Sequence, residues 1–144
     1  MLTADDHLAI QDLYARSNIW ADTGGGDAYA GLYSEDGTFS SDHQMRGRSE
    51  IAAVCVAHHA ENEASNLACI QHWINNLVVD GDADRATGVA FIMRVARTKD
   101  TGEFKIIGQG TYHDDLVKQD GRWYFKSRKV YRDMPPSDII AARR

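Results

Sequence analysis

Asp22, at the end of the first helical stretch, and His72, at the start of the first long strand-like stretch, could do chemistry together if the fold brings them into contact. An imidazole accepts a proton near neutral pH but is poorly oriented on its own. A carboxylate on one ring nitrogen fixes the tautomer and stabilises the imidazolium once the proton arrives. General base catalysis of this kind supplies roughly 10²–10⁴-fold, and orientation in a dry cavity adds more. The chemistry suits β-elimination, in which His72 removes a proton beside a carbonyl or electron-poor ring and a leaving group departs. It needs no metal and no cofactor, and neither is expected. The plainer alternatives are that Asp22 is a turn residue bonding the backbone beyond the helix, and that His72 is a satisfied strand histidine.

Other constellations are weaker. There are six histidines, but only His59 and Glu63 share an i, i+4 spacing, and no HExxH or paired-cysteine spacing exists, so a metal site is not expected. The run Gly24-Gly25-Gly26 follows a helix rather than a strand, the wrong context for a phosphate loop. A nucleophilic Ser or Cys with an adjacent base cannot be nominated. The net charge of −5 offers no basic stripe to displace counterions from phosphates, which argues against nucleic acid. The cluster Lys126, Arg128, Lys129, Arg132 reads as a solvated strand face. Arg128 is the exception, since it could turn inward and pair with a substrate oxyanion or a carboxylate of the protein.

The elements that must position these residues follow from periodicity. Thr3 with Asp6 makes a capping-box-like start, and Leu8, Ile10, Leu13, Tyr14, Ser17 and Ala21 recur at helical spacing, predicting a helix over about residues 4–21. The three glycines end it. Asp27 caps a short helix through Leu32 and Tyr33, and Glu35-Asp36-Gly37 turns into a short strand at Thr38-Phe39-Ser40. Ser49 and Glu50 open a third helix from Ile51 to about Ala60, followed by a polar loop from Glu61 to Asn66. Four strands over roughly 68–79, 85–98, 103–117 and 122–132 then form a meander joined at Asp80-Gly81-Asp82, Asp100-Thr101-Gly102 and Asp120-Gly121. Pro135-Pro136 closes the sheet, and the tail to Arg144 is a short helix or loose.

At 144 residues, 43% hydrophobic and 26% charged, the chain fits one globular domain, residues 1–144, with an α+β pattern. A long twisted sheet wrapped on a helix makes a cone with a cavity at its open end; Gly88, Gly108 and Gly110 inside strands fit such bending. No stretch of about 18 apolar residues spans a membrane, and the N-terminus has no secretory pattern. Cys55 and Cys69 read as buried free thiols, which makes the cytoplasm the expected address.

Taken in order, Ile10-Gln11-Asp12-Leu13-Tyr14, Asp36-Gly37-Thr38-Phe39, Gly47-Arg48, Asn76 through Gly81, Gly110-Thr111-Tyr112-His113-Asp114 and Asp120-Gly121-Arg122-Trp123 resemble the SnoaL-like branch of the NTF2-like superfamily. The resemblance covers nearly the whole length. It implies three N-terminal helices packed on a curved antiparallel sheet enclosing a pocket. Cofactor-free lyases of that superfamily, scytalone dehydratase, bile-acid 7α-dehydratase and lindane dehydrochlorinase, are similar in layout and use an Asp–His pair in the cone. By position, their acid falls on Asp22 and their histidine on His72. Their pocket wall falls on Gly110 and Tyr112, with Arg128 and Tyr131 contributed by the last strand. The longer Gly24-Gly25-Gly26 turn departs from the pattern.

Tyr14 and Ser17 lie on the inner side of the first helix if Leu13 does, and could line the pocket. Phe39, Tyr112 and Tyr131 could stack on an aromatic substrate; ordinary core packing is the alternative for each. The expectation is a lyase of dehydratase type, or an isomerase, acting on a small hydrophobic, cyclic or aromatic molecule. The rivals are a non-catalytic ligand-binding or assembly module, such as an oxygenase small subunit, and a hydrolase that activates water with the same pair. The module predicts that Asp22 and His72 lie too far apart to bond, or that side chains fill the cavity. Apolar residues on both faces of strand 85–98 suggest self-association through the outer sheet face, as a homodimer or homotrimer.

Overall fold

The structure, a computed structural model, describes residues 1–132 together with Pro135, Ser137 and Asp138. Apart from those three positions, the expected sheet-closing prolines and the tail to Arg144 lie outside the described residues.

The first helix, α1 (Ala4–Asp22), starts where the capping box predicts. The Thr3 hydroxyl accepts from the Asp6 backbone N–H, and Asp6 Oδ2 accepts in return from the Thr3 N–H at 3.0 Å. Asp6 also ties the helix to the far end of the chain. Its Oδ1 accepts from Lys118 Nζ at 2.7 Å and from the Trp123 indole N–H at 2.9 Å. The Lys118 hydrogen bond first, and those from Thr3 next, hold the Asp6 carboxyl well below the usual carboxylate range. A group whose pKa is lower folded than unfolded stabilises the fold above its unfolded pKa, near 4, and loses that contribution progressively as pH falls from there toward its lowered folded pKa. Asp6→Asn should therefore melt below the parent at neutral pH, with the gap closing below about pH 4; thermal melts across that range check it.

After α1 come α2 (Gly26–Ala30), β1 (Tyr33–Ser40), β2 (Gln44–Arg46) and α3 (Gly47–Ala64). The meander β3 (Leu67–Gly81), β4 (Arg85–Thr98), β5 (Phe104–Gln119) and β6 (Arg122–Arg132) completes a six-stranded sheet, order β2-β1-β6-β5-β4-β3. All neighbours pair antiparallel except β1 and β6.

That parallel pair accounts for the main local differences from the sequence reading. The second helix stops at Ala30 rather than running through Tyr33, and β1 begins at Tyr33 because Tyr33 pairs with Phe125, a partner some ninety positions away. No local window contains that information. The third helix starts earlier than expected, at Gly47, which takes a φ of 75°. Glu50 Oε2 accepts the Arg46 N–H at 2.8 Å and supplies the start. It also runs through the expected polar loop to Ala64, where Ser65 Oγ donates to Asn62 O and ends it.

Bulges bend the sheet. On β3 the register shifts between Ala68 and Gln71 and again between Asn75 and Val78, and Cys69 and Asn76 there take φ of 53°. The first bulge turns Cys69 outward, so this thiol is exposed rather than buried; Cys55 on α3 is buried as expected. Helices cover the concave face. Ile10, Leu13 and Tyr14 of α1 and Ile51 of α3 pack with Tyr33, Ala90, Tyr112, Leu116 and Phe125. Gly88 belongs to this contact rather than to a bend, since a Cβ there would come 2.1 Å from the Tyr14 hydroxyl.

Candidate functional site

Asp22 is the last residue of α1. The Thr23 N–H still bonds Ile19 O, and Gly24, at a φ of 70°, then turns the chain against the His59 ring. His72 follows the first bulge of β3, and β3 is a sheet edge. One row of its backbone polar groups therefore faces no strand and needs other partners. Helix α1 supplies them. The His72 N–H donates to Asp22 Oδ2 at 2.8 Å, and Asn18 Nδ2 donates to His72 O at 3.3 Å.

The second Asp22 oxygen, Oδ1, lies 2.5 Å from His72 Nδ1. The carboxylate thus grips one residue twice, by backbone and by ring. The two side chains keep 14% and 19% of their surface. With Nδ1 engaged by the carboxylate, the neutral ring carries its proton there and leaves Nε2 as the basic nitrogen. The separation that the container alternative predicts is not found.

His72 lines two hollows. One, about 680 Å³, is a groove between α1 and the edge strand; Asp22 and Tyr14 also line it. The other, about 580 Å³, lies between α3 and the concave sheet face and is the cone cavity. In the cavity the aromatic rings of Phe39, Tyr29 and Tyr112 meet polar groups from several elements, whereas the groove is walled chiefly by helix stems and apolar strand residues. The cavity is the better candidate chamber.

Phe39 and Tyr112 line this cavity with His72. The Tyr112 hydroxyl donates to Asn18 Oδ1 at 3.3 Å, and burial pushes its pKa up, so it remains a phenol at neutral pH. Tyr14 lines the groove instead, its ring edge-on to Phe125 at 5.2 Å.

Three expected pocket residues lie elsewhere. Ser17 is buried beneath α1, donates to Tyr14 O and accepts from Arg128 Nη1 at 3.0 Å, so it lines neither hollow. Arg128 does turn inward, but to the protein carboxylate: Nε and Nη2 bond Asp114 at 3.0 and 2.8 Å. Its guanidinium lies 3.9 Å from the ring centroids of both Tyr112 and Phe125. It has no surface left for a substrate. Tyr131 belongs to the outer face, with His113 and Lys129 beside its ring. Alternation along β6 decides this, because Arg128 and Val130 take the inner positions and a residue three beyond Arg128 must point away.

The structure also adds cavity residues that the sequence reading missed: Arg94, His58, Glu61, Asn62 and Arg132. A signal for Arg94 existed. It interrupts the apolar run Phe91-Ile92-Met93-Arg94-Val95-Ala96, on the same alternation as Ile92.

Comparison with known proteins agrees with this architecture. The model of the SnoaL-like domain matches residues 3–129. A protein of unknown function from Mycobacterium tuberculosis is 33% identical, with 94% of this chain and 81% of that one covered at a TM-score of 0.80. A cystatin-like-fold protein of unknown function from Nostoc punctiforme is 25% identical, with 94% and 96% covered at a TM-score of 0.80. A candidate scytalone dehydratase from Novosphingobium aromaticivorans shares the fold at 22% identity, with 90% and 85% covered and a TM-score of 0.72. No curated protein matches. No described helix is long and apolar enough to cross a membrane.

Proposed function

The chain belongs to the SnoaL-like domain family, and from that premise we propose that it is a cofactor-independent lyase or isomerase for a small hydrophobic, cyclic or aromatic molecule, with Asp22 and His72 as the proton-transfer pair. The observation that carries the reading is the double grip of Asp22, through ring and backbone, on His72, whose side chain lines the cone cavity. In the elimination, Nε2 takes the proton from a carbon beside a carbonyl. The released electron pair moves toward the carbonyl oxygen, then returns to form the double bond as the β-hydroxyl leaves. The imidazolium gives its proton to that hydroxyl, so water departs and the ring is reset. Asp22 stabilises the transient cation and holds the tautomer throughout. Phe39 and Tyr112 offer the ring faces against which a flat substrate stacks.

The test is incubation with a panel of cyclic β-hydroxy ketones, with products followed by mass spectrometry. Elimination appears as loss of one water, isomerisation as unchanged mass with a new spectrum, and hydrolysis of lactone analogues as gain of one water. Turnover that survives loss of His72 overturns the assignment.

We further propose self-association through the outer sheet face, as a homodimer or homotrimer. On that face Trp73 sits opposite Met93, Asn75 opposite Phe91 and Val78 opposite Val89. Trp73 keeps 45% of its surface and Phe91 38%, a contiguous apolar patch of the kind that marks interfaces. Light scattering should give two or three times the chain mass of 16.0 kDa, and Trp73→Glu with Phe91→Glu should reduce it to one. A monomeric parent protein would rule the interface out.

A further inference from the structure

Arg94 sits directly opposite His72 in the β3–β4 register, so the two side chains leave the same sheet face with Cβ atoms about 5 Å apart. Both line the cone cavity. Its other neighbour in register is Gly108 on β5, which has no side chain to compete for the space beside the guanidinium. Among the described residues Arg94 forms no ion pair. Arg132, the other guanidinium in the cavity, is taken by Asp42 at 3.2 Å, and Glu61, which shares the lining, makes no ion pair with Arg94. The protein offers Arg94 a single long bond, from Nη2 to Asn62 Oδ1 at 3.4 Å, and leaves Nε buried with no partner.

A guanidinium presents five donors in a planar fork, and a buried donor without an acceptor is costly. The contrast with Arg128 is instructive. There the protein supplies a carboxylate at the fork; Arg94 lines the cavity and has none. From this geometry we infer that Arg94 is the anion subsite of the cavity, and that the substrate is a cyclic or aromatic acid whose carboxylate docks on its Nη donors. The inference rests on the proposed reading of the cavity as the reaction chamber, and it deepens that reading. Carboxylate docking would fix the ring of the substrate against Phe39 and Tyr112, with its reacting carbon held toward His72. Arg94 is thus a specificity-determining residue. The proton transfer itself remains with His72.

Binding can be measured without turnover, which separates this inference from the catalytic one. The probes are benzoate and its neutral isostere benzamide, titrated into the full chain and followed by NMR. Benzoate should bind more tightly than benzamide and move the Arg94 Nε–Hε resonance. Arg94→Gln should weaken benzoate by about 10–100-fold, the worth of charge-assisted hydrogen bonds, and leave benzamide within about twofold. Arg94→Lys should fall between, because it keeps the charge and loses the fork. His72→Gln should still bind benzoate, so a failed catalytic assignment leaves this result standing. If Arg94→Gln folds poorly, the intact protein decides, since benzoate must shift the Arg94 resonance and benzamide must not. Equal affinity for the two probes, or benzoate binding lost in Arg132→Gln and retained in Arg94→Gln, overturns the assignment.

Discussion

Replacing His72 by glutamine is expected to lower turnover of any substrate found for this protein by about 10²–10⁴-fold while leaving the fold intact. The expectation follows from what the ring does and what the backbone does, since the two are separable here. The bond from the His72 N–H to Asp22 Oδ2 survives any side-chain replacement, so the seam between α1 and the edge strand stays closed. Only the bond at Nδ1 and the basic Nε2 are lost. Asp22→Asn should fall by a similar factor for another reason. An amide in place of the carboxylate cannot stabilise the imidazolium, and it offers the wrong group to one of two donors now shared between ring and backbone. Single-turnover rates report the chemical step directly. Circular dichroism of both variants should match the parent. A rate unchanged in His72→Gln would remove the proton-transfer role.

Removing the carboxylate of Asp114 is expected to be the most damaging single change to stability. Asp114 and Arg128 are both fully buried in side chain, and the guanidinium is held by two hydrogen bonds from different nitrogens, by Ser17, and by the faces of Tyr112 and Phe125. Asp114→Ala leaves a buried cation with no counter-charge, which costs about 3–5 kcal/mol, a large share of the 5–15 kcal/mol typical of a domain. Denaturant unfolding should show the midpoint falling with the slope unchanged. The double variant Asp114→Leu with Arg128→Met should recover much of the loss, because apolar replacements of similar volume avoid the desolvation of both charges. If Asp114→Ala unfolds like the parent, the pair is not the closed buried unit described here.

These two sites show how unevenly the chain discloses itself. The helix start at Thr3 and Asp6 was legible because a capping box is a local pattern, complete within four residues. The meander strands were legible because alternation and Gly-containing turns repeat along the sequence. Asp22 and His72 were legible as chemical types, and their meeting followed from resemblance to a fold rather than from any spacing between them. Tyr131 and Ser17 take their places for different reasons. Alternation along β6 sets Tyr131 on the face opposite Arg128 once Arg128 is inward, whereas Ser17 is buried by Arg128, a partner 111 positions away that no window around Ser17 contains. Arg94 was overlooked because its meaning is pairwise. Only the β3–β4 register sets it beside His72.

By itself the sequence determined the kinds of element, their order and their approximate ends, because helix periods, caps and turns are short-range consequences of backbone sterics and local hydrogen bonding. The tertiary structure alone decided the partners: β1 with β6, Asp22 with His72, Asp114 with Arg128, and Arg94 with no carboxylate. Such pairings join segments 14 to about 90 residues apart. They are chosen by whole-chain packing and by the demand that every buried polar group find a partner.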